Sequence, residues 1–307
     1  MNTRILFAGM GGVGGYFGGV MAHQFHGSSE LDITFLARGE HLKIIREKGL
    51  TVRKGAVEFQ AHPAAASDDG AELGVMDFVF VCCKSYDLEK IADAIKPCLK
   101  PDTIVISLLN GTDGPEKLET FLPCSTIAPG CVFIYAQRLE PGVVENSGPV
   151  ETMFFGLKGE ANERLRPLEN WLQQSGIKAL ASEQIETLVW EKFIFISPIA
   201  TATSYYRQTI GEIRLDPEKW TVLTQLLAEI VALTMAKQIP VDPEIEATTL
   251  YKYEKSPADS TSSMYRDFES HPERTEVDSL THYVIREGER LGEIIPTYSR
   301  IYSGLTI

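Results

Sequence analysis

Short, almost wholly apolar runs alternate with amphipathic stretches through the first third of the chain. Residues 4–8 (Arg-Ile-Leu-Phe-Ala) lead into a cluster of glycines, then a small-residue helix predicted to reach about His23. Residues 32–36 predict a second strand, 40–48 a polar helix, and 50–60 a hairpin turning at Lys54-Gly55. Apolar runs at 77–82 and 103–108 flank a helix near 86–96 that Pro97 stops. Strands without polar alternation are buried on both faces, and their interleaving with helices is the pattern of a parallel sheet. From 125 to 156 the chain is β-rich, with a turn at Pro141-Gly142. Beyond Ser182 only the helical period remains. Asp216-Pro217 pairs an N-cap with an N1 proline ahead of Trp220, Leu223, Leu227, Ile230 and Leu233, and Asp242-Pro243 repeats that start signal. A late helix is predicted over about 276–291, with Val277, Leu280 and Val284 on one face.

Composition narrows the partners. With 44% apolar and 23% charged residues, the 307-residue chain can build a substantial core in about two domains. Carboxylates outnumber cations 42 to 29, a formal charge of -13. With no Lys/Arg run to displace counterions, nucleic acid is not an expected partner. Cys82, Cys83, Cys98, Cys124 and Cys131 form no C-x-x-C pair and predict reduced thiols of a cytoplasmic protein, with no disulfide framework and no metal. No secretion signal and no run near ~18 apolar residues is found, so no membrane partner is expected either.

Gly9-Met10-Gly11-Gly12-Val13-Gly14 is G-x-G-x-x-G between the first strand and the first helix. The first glycine permits the turn, the second lets a pyrophosphate approach the backbone, and the third lets helix and strand pack closely. The chain thus reads as an α/β Rossmann-type dinucleotide-binding domain at 1–181 followed by an all-α C-terminal domain at 182–307. The second strand ends without the acid that usually holds the ribose hydroxyls of NAD. Arg38 stands there instead, suited to the 2′-phosphate of NADP(H), the alternative being a solvated arginine opposite Glu40. Lys84 and Asn110 follow strands on the same sheet edge, where ligands of open α/β sheets gather. Lys192 lies in Trp-Glu-Lys-Phe-Ile-Phe-Ile, so its ammonium either snorkels to water or sits desolvated as a general acid.

On these residues the chain resembles the ketopantoate reductase (2-dehydropantoate 2-reductase) family over nearly its whole length. The resemblance joins the glycine motif at 9–14, Arg38, Lys-Ser-Tyr-Asp at 84–87, Asn-Gly at 110–111, Trp-Glu-Lys at 190–192, Thr-Ser-Ser-Met at 261–264 and Arg-Thr-Glu-Val-Asp at 274–278. It implies an NADPH-dependent oxidoreductase of pantothenate and coenzyme A biosynthesis, acting on a CH–OH group and a small 2-oxoacid, as a monomer or homodimer. It further implies that Lys192 protonates the keto oxygen and that Asn110 and Lys84 lie near cofactor and substrate. Ala136 would touch the cofactor through its backbone, Ser263 would bind substrate through its hydroxyl, and Glu276 would stand at the site as a carboxylate. The alternative for Glu276 from the residues alone is a capping box with Glu273 or an exposed helix face.

Four positions depart from the family. Ile196, Ala200, Ile210 and Ser260 stand where the family carries asparagines. Pro198 enters the helix after Lys192 and predicts a kink, because it lacks an N–H and its ring opposes the carbonyl of Ile194. One residue more than the family pattern separates Ser263 from Glu276. Lys192, Ile196 and Ala200 then share one helix face as a cation beside an apolar wall, unless Ser260, Thr201 or Ser204 replaces the amides. A same-fold NADPH-dependent reductase of another 2-oxoacid, or a non-catalytic NADP-sensing module, are the competing expectations.

Overall fold

The apolar runs assemble one ten-stranded sheet in the computed structural model, which describes residues 2–159, 162–270 and 273–305. The strands and helices of this part are β1 (Thr3–Ala8), α1 (Gly12–Gln24), β2 (Leu31–Leu36), α2 (Gly39–Lys48), β3 (Leu50–Lys54), β4 (Val57–Ala61), β5 (Ala65–Ser67), α3 (Gly70–Leu73), β6 (Phe78–Val81), α4 (Leu88–Ile95), β7 (Ile104–Ser107), α5 (Gly114–Phe121), β8 (Thr126–Glu140), β9 (Val143–Phe155), α6 (Arg166–Gln174) and β10 (Lys178–Ala181). Their order is β4-β3-β9-β8-β7-β6-β1-β2-β5, with β10 also paired to β9. From β8 to β5 every pairing is parallel, as the apolar runs predict. Ile5, Leu6, Phe7 and Ala8 are wholly buried, since one core packs on each face of the sheet.

The sheet is mixed rather than purely parallel. Pro141-Gly142 leaves too little chain for a crossover, so β8 and β9 can pair only antiparallel. The outer edge of β9 is then shared. Its start pairs with β3 and its end with β10, both parallel. The hairpin predicted at 50–60 is β3–β4, turning at Gly55-Ala56.

The remaining helices are α7 (Ile185–Tyr206), α8 (Ile210–Leu215), α9 (Pro217–Ala236), α10 (Ile245–Lys255), α11 (Ser263–Ser270), α12 (Tyr283–Leu291) and α13 (Pro296–Leu305). The chain divides into two compact units, Met1–Leu109 with Gly114–Ile185, and Asn110–Asp113 with Glu186–Ile307. Asp216 caps α9 as its sequence predicts, accepting the N–H groups of Glu218 and Lys219 at 3.1 and 3.2 Å. Asp242-Pro243 does not open a helix directly. Asp242 instead accepts the Glu244 N–H at 2.8 Å in a turn, and α10 starts at Ile245. The predicted helix over 276–291 contains a π-helical turn, Asp278–His282, ahead of α12.

Pro198 sits inside α7. There the buried Tyr253 hydroxyl donates to the Phe195 carbonyl at 2.6 Å and lies 3.4 Å from that of Ile194, the carbonyl that Pro198 leaves without its helical N–H. The tyrosine thus supplies a donor where the proline has removed one. Burial raises its phenol well above the ordinary tyrosine value. Among the described residues no helix is long and apolar enough to cross a membrane.

Candidate functional site

The glycines after β1 serve different ends. Gly9 has φ +99°, and a Cβ there would lie 2.9 Å from the Cys83 nitrogen. At Gly14 a Cβ would lie 2.2 Å from the Gly9 carbonyl oxygen, so only glycine brings helix and turn this close. Gly12 meets β8, where its Cβ would fall 2.4 Å from the Ala136 oxygen. A register irregularity between Ile134 and Ala136 bends β8 at this contact. Gly11 is the exception, because a Cβ there would meet nothing within 4 Å. Met10 is buried and Val13 packs partly buried against the same core.

Gly11 is the N-cap of α1, without a side-chain cap and without an acid in the first turn. First-turn N–H groups beside an open backbone suit a pyrophosphate. The residues present therefore fit a dinucleotide cradle.

Arg38 leaves β2 as the N-cap of α2, with its side chain 65% exposed. Its Nη2 stands 2.8 Å from Oδ2 of Asp87, which is 11% exposed. Glu40, the opposing carboxylate of the alternative reading, faces Lys43 instead at 3.7 Å. The sequence has no acid at the tip of β2, and the fold brings one from 49 residues further on. Lys84, half-buried after β6, accepts the Asp87 N–H through its carbonyl at 3.0 Å, so it helps set the turn that delivers this acid.

His41 carried no signal in the sequence. Its ring is buried, and Nδ1 accepts the Gly142 N–H at 2.7 Å, tying α2 to the β8–β9 turn. Burial, helped by the Arg138 charge, lowers its pKa to about 4, against a pull from the Met10 backbone.

In the second unit, Lys192 extends from α7 and is 8% exposed. Its Nζ donates to Asn110 Oδ1 at 2.8 Å. Snorkelling to solvent is therefore overturned: the ammonium is buried and meets an amide. Glu276 is 1% exposed just before the π turn, which removes the exposed-face alternative. Ser263 opens α11 and is half-buried.

The departures fall unequally. Ile210 and Ala200 belong to the helical core, Ile196 is half-buried against it, and Ser260 receives the Ile210 N–H on its carbonyl at 3.0 Å. Thr201 is hydrogen-bonded to Thr281 at 2.8 Å. Ser204 is buried, and its Oγ has no hydrogen-bond partner among the described residues.

A glycine cradle of this construction, on a Rossmann-like sheet followed by a helical region, is the architecture of a dinucleotide-dependent oxidoreductase. Residues 5–158 match the family model described as ketopantoate reductase PanE/ApbA, and residues 184–306 match that of its C-terminal part. The chain belongs to the ketopantoate reductase family, whose members act on CH–OH groups. It is 29% identical to an uncharacterized oxidoreductase, YkpB, of Bacillus subtilis, with 98% of this chain and 97% of the relative covered. The structure of 2-dehydropantoate 2-reductase from Porphyromonas gingivalis W83 is 32% identical, covers both chains completely and superposes with a TM-score of 0.87. D-mandelate dehydrogenase with NADH and anilino(oxo)acetate shares the fold at 23% identity and a TM-score of 0.86, covering 99% of this chain and 97% of that one.

Proposed function

We propose that this protein is an NADPH-dependent 2-oxoacid reductase whose substrate is 2-dehydropantoate, reduced to pantoate. The observation that carries the reading is the buried Lys192–Asn110 hydrogen bond at 2.8 Å. A bound nicotinamide supplies the hydride. An ammonium has three N–H groups; one of Lys192's reaches Asn110, and we assign another to the keto oxygen, to which it passes its proton as the alkoxide forms. Asn110 fixes the direction of the ammonium. Burial of Lys192 thins the water around its ammonium, which strengthens every charge interaction there. Arg38 supports NADPH over NADH, because a guanidinium held on one side by Asp87 still offers donors to a 2′-phosphate. In a protein of net charge -13, an anionic cofactor requires a local positive charge in the first unit, which Arg38 supplies, and an anionic acid requires one in the second, which Lys192 supplies.

Steady-state NADPH oxidation with 2-dehydropantoate tests the reading, with Lys192→Ala as its control. Turnover should fall about 10²–10⁴-fold in the variant while NADPH affinity stays unchanged. No oxidation by the wild type, together with tight NADPH binding, would support the sensing module instead. A second reading, reduction of a hydroxyl-free branched 2-oxoacid, is favoured by Ile196 on the Lys192 face. It predicts kcat/KM for 2-oxoisovalerate within about two orders of magnitude of that for 2-dehydropantoate, whereas amide recognition predicts a gap of ~10⁴ or more.

A further inference from the structure

The loop that carries Asn110 runs from 108 to 113, and its segment Asn110–Asp113 is bonded at both ends. Asn110 meets Lys192 of α7, and Asp113 Oδ2 accepts the Ser279 hydroxyl at 3.0 Å from the π turn. Between them Gly111 adopts φ +94° and lies against that turn; a Cβ there would come within 3.3 Å of both the Ser279 carbonyl and Asp113 Oδ1. The π turn is in turn bonded to α7. Ser197 Oγ donates to the Leu280 carbonyl at 2.6 Å, and Thr281 pairs with Thr201. Ser197 and Thr201 stand one helical turn apart on the same helix as Lys192.

These bonds close a ring: Lys192, Asn110, Asp113, Ser279, Leu280, Ser197, and back along α7 to Lys192. Asp113 is 3% exposed and Ser279 wholly buried. A buried carboxylate is a costly way to hold a loop, since an apolar side chain of that size would pack without desolvating a charge. A π turn is likewise a strained departure from the α-helix, and such turns concentrate at functional positions. Here it lets consecutive residues 279, 280 and 281 each face a different partner.

We propose that Asp113 and Ser279 are positioning residues: their hydrogen bond clamps the Asn110 loop so that the amide holds the Lys192 ammonium at its working distance. The proposal rests on Lys192 being the proton donor. Displacing a reacting group by about 1 Å costs up to ~10²-fold in rate, so loosening the clamp should lower kcat about 10–100-fold. The ring does not include the glycine cradle, so the KM for NADPH should change much less than kcat.

The experiment compares Ser279→Ala, Asp113→Leu and Asp113→Asn in the full-length protein, by steady-state kinetics and thermal unfolding. Asparagine keeps an acceptor for the Ser279 hydroxyl and should restore kcat to within about threefold of wild type, whereas leucine should not. Ser279→Ala removes only one oxygen, so it keeps the test alive if Asp113→Leu fails to fold. In a Lys192→Ala background, Ser279→Ala should lower kcat no further, because a clamp acts only through the group it positions. Unchanged kcat in a folded Ser279→Ala protein overturns the proposal, as does an additive loss in the double variant. If Lys192→Ala itself retains turnover, the assignment of the proton donor has failed; if it collapses turnover while Ser279→Ala does not, the clamp alone has failed.

Discussion

Gly11 and Gly12 are neighbours with opposite surroundings, and alanine at each should separate cofactor binding from folding. At Gly11 the backbone (φ −78°, ψ −153°) is open to any L-residue, and a methyl group meets nothing within 4 Å. Gly11→Ala should therefore cost the fold no more than the modest loss of a glycine N-cap, at most about 1 kcal/mol, or a few degrees in Tm. The same methyl stands where a pyrophosphate must approach the amides at the start of α1. Losing one hydrogen bond to a charged group removes about 1.5–3 kcal/mol, a 10–150-fold rise in the dissociation constant for NADPH. Gly12→Ala has the reverse character. Its methyl would fall 2.4 Å from the Ala136 oxygen and 2.6 Å from its carbonyl carbon, both backbone atoms of β8. Overpacking of this kind costs about 1–3 kcal/mol or more, and Tm should fall accordingly. Fluorescence titration of NADPH and thermal unfolding read the two effects. A Gly11→Ala protein that folds and binds NADPH as tightly as wild type would refute the assignment of the cradle.

Arg38→Ala should weaken NADPH by about 1–3 kcal/mol and leave NADH nearly unchanged; equal losses in kcat/KM for both cofactors would remove Arg38 from the 2′-phosphate. Tyr253→Phe should cost about 1–3 kcal/mol in urea unfolding, because the Phe195 carbonyl beside the Pro198 break loses its donor; unaltered stability would show that bond to be dispensable. His41 is held neutral down to about pH 4 in the fold, whereas its ordinary value is 6.5, so the unfolded chain binds a proton first. Stability should fall as pH drops from about 6.5 to about 4 and lose nothing more from this group below that, and His41→Gln should remove that part of the slope. A wild-type-minus-variant difference that is flat across this window would contradict the buried neutral ring.

What the chain discloses about itself follows from how local each cause is. Strands β1, β6 and β7 are legible because burial on both faces leaves only apolar residues, a signal contained within five positions. Strands β5 and β10 are three and four residues long, too short for any period, and exist only because β2 and β9 offer an edge. The π turn is hidden for another reason: Val277, Leu280 and Val284 fit an ordinary helical stripe, and the extra residue in the turn is set by partners on α7 and the Asn110 loop. In the site, the glycine motif and the apolar setting of Lys192 are visible locally. Their decisive partners are not, since Asn110 lies 82 residues from Lys192 and Asp87 lies 49 from Arg38. Tyr253 is the same case, a tyrosine that acquires its purpose from a proline in another helix.

The departures from the family gain meaning from distances along α7. Each step of four residues advances about 6 Å, so from Lys192 the side chains at 196, 200 and 204 start about 6, 12 and 18 Å away. Ala200 is 2% exposed within the helical core, and Thr201 is committed to Thr281. Ser204 has an unclaimed oxygen, but a small branched acid held by Lys192 does not span ~18 Å. Of this face only Ile196 combines proximity with exposed surface, and it offers no hydrogen bond. An enzyme that met a substrate hydroxyl with an amide here would leave that amide unpaired against a hydroxyl-free analogue, which is the origin of ~10⁴–10⁵ selectivity. An isoleucine has nothing to leave unpaired, so along this helix the two acids differ only by contact with an apolar wall. Strong selectivity for 2-dehydropantoate would have to come from another element, and Ser260 and Ser263, both half-buried, are the side chains to replace first in locating it.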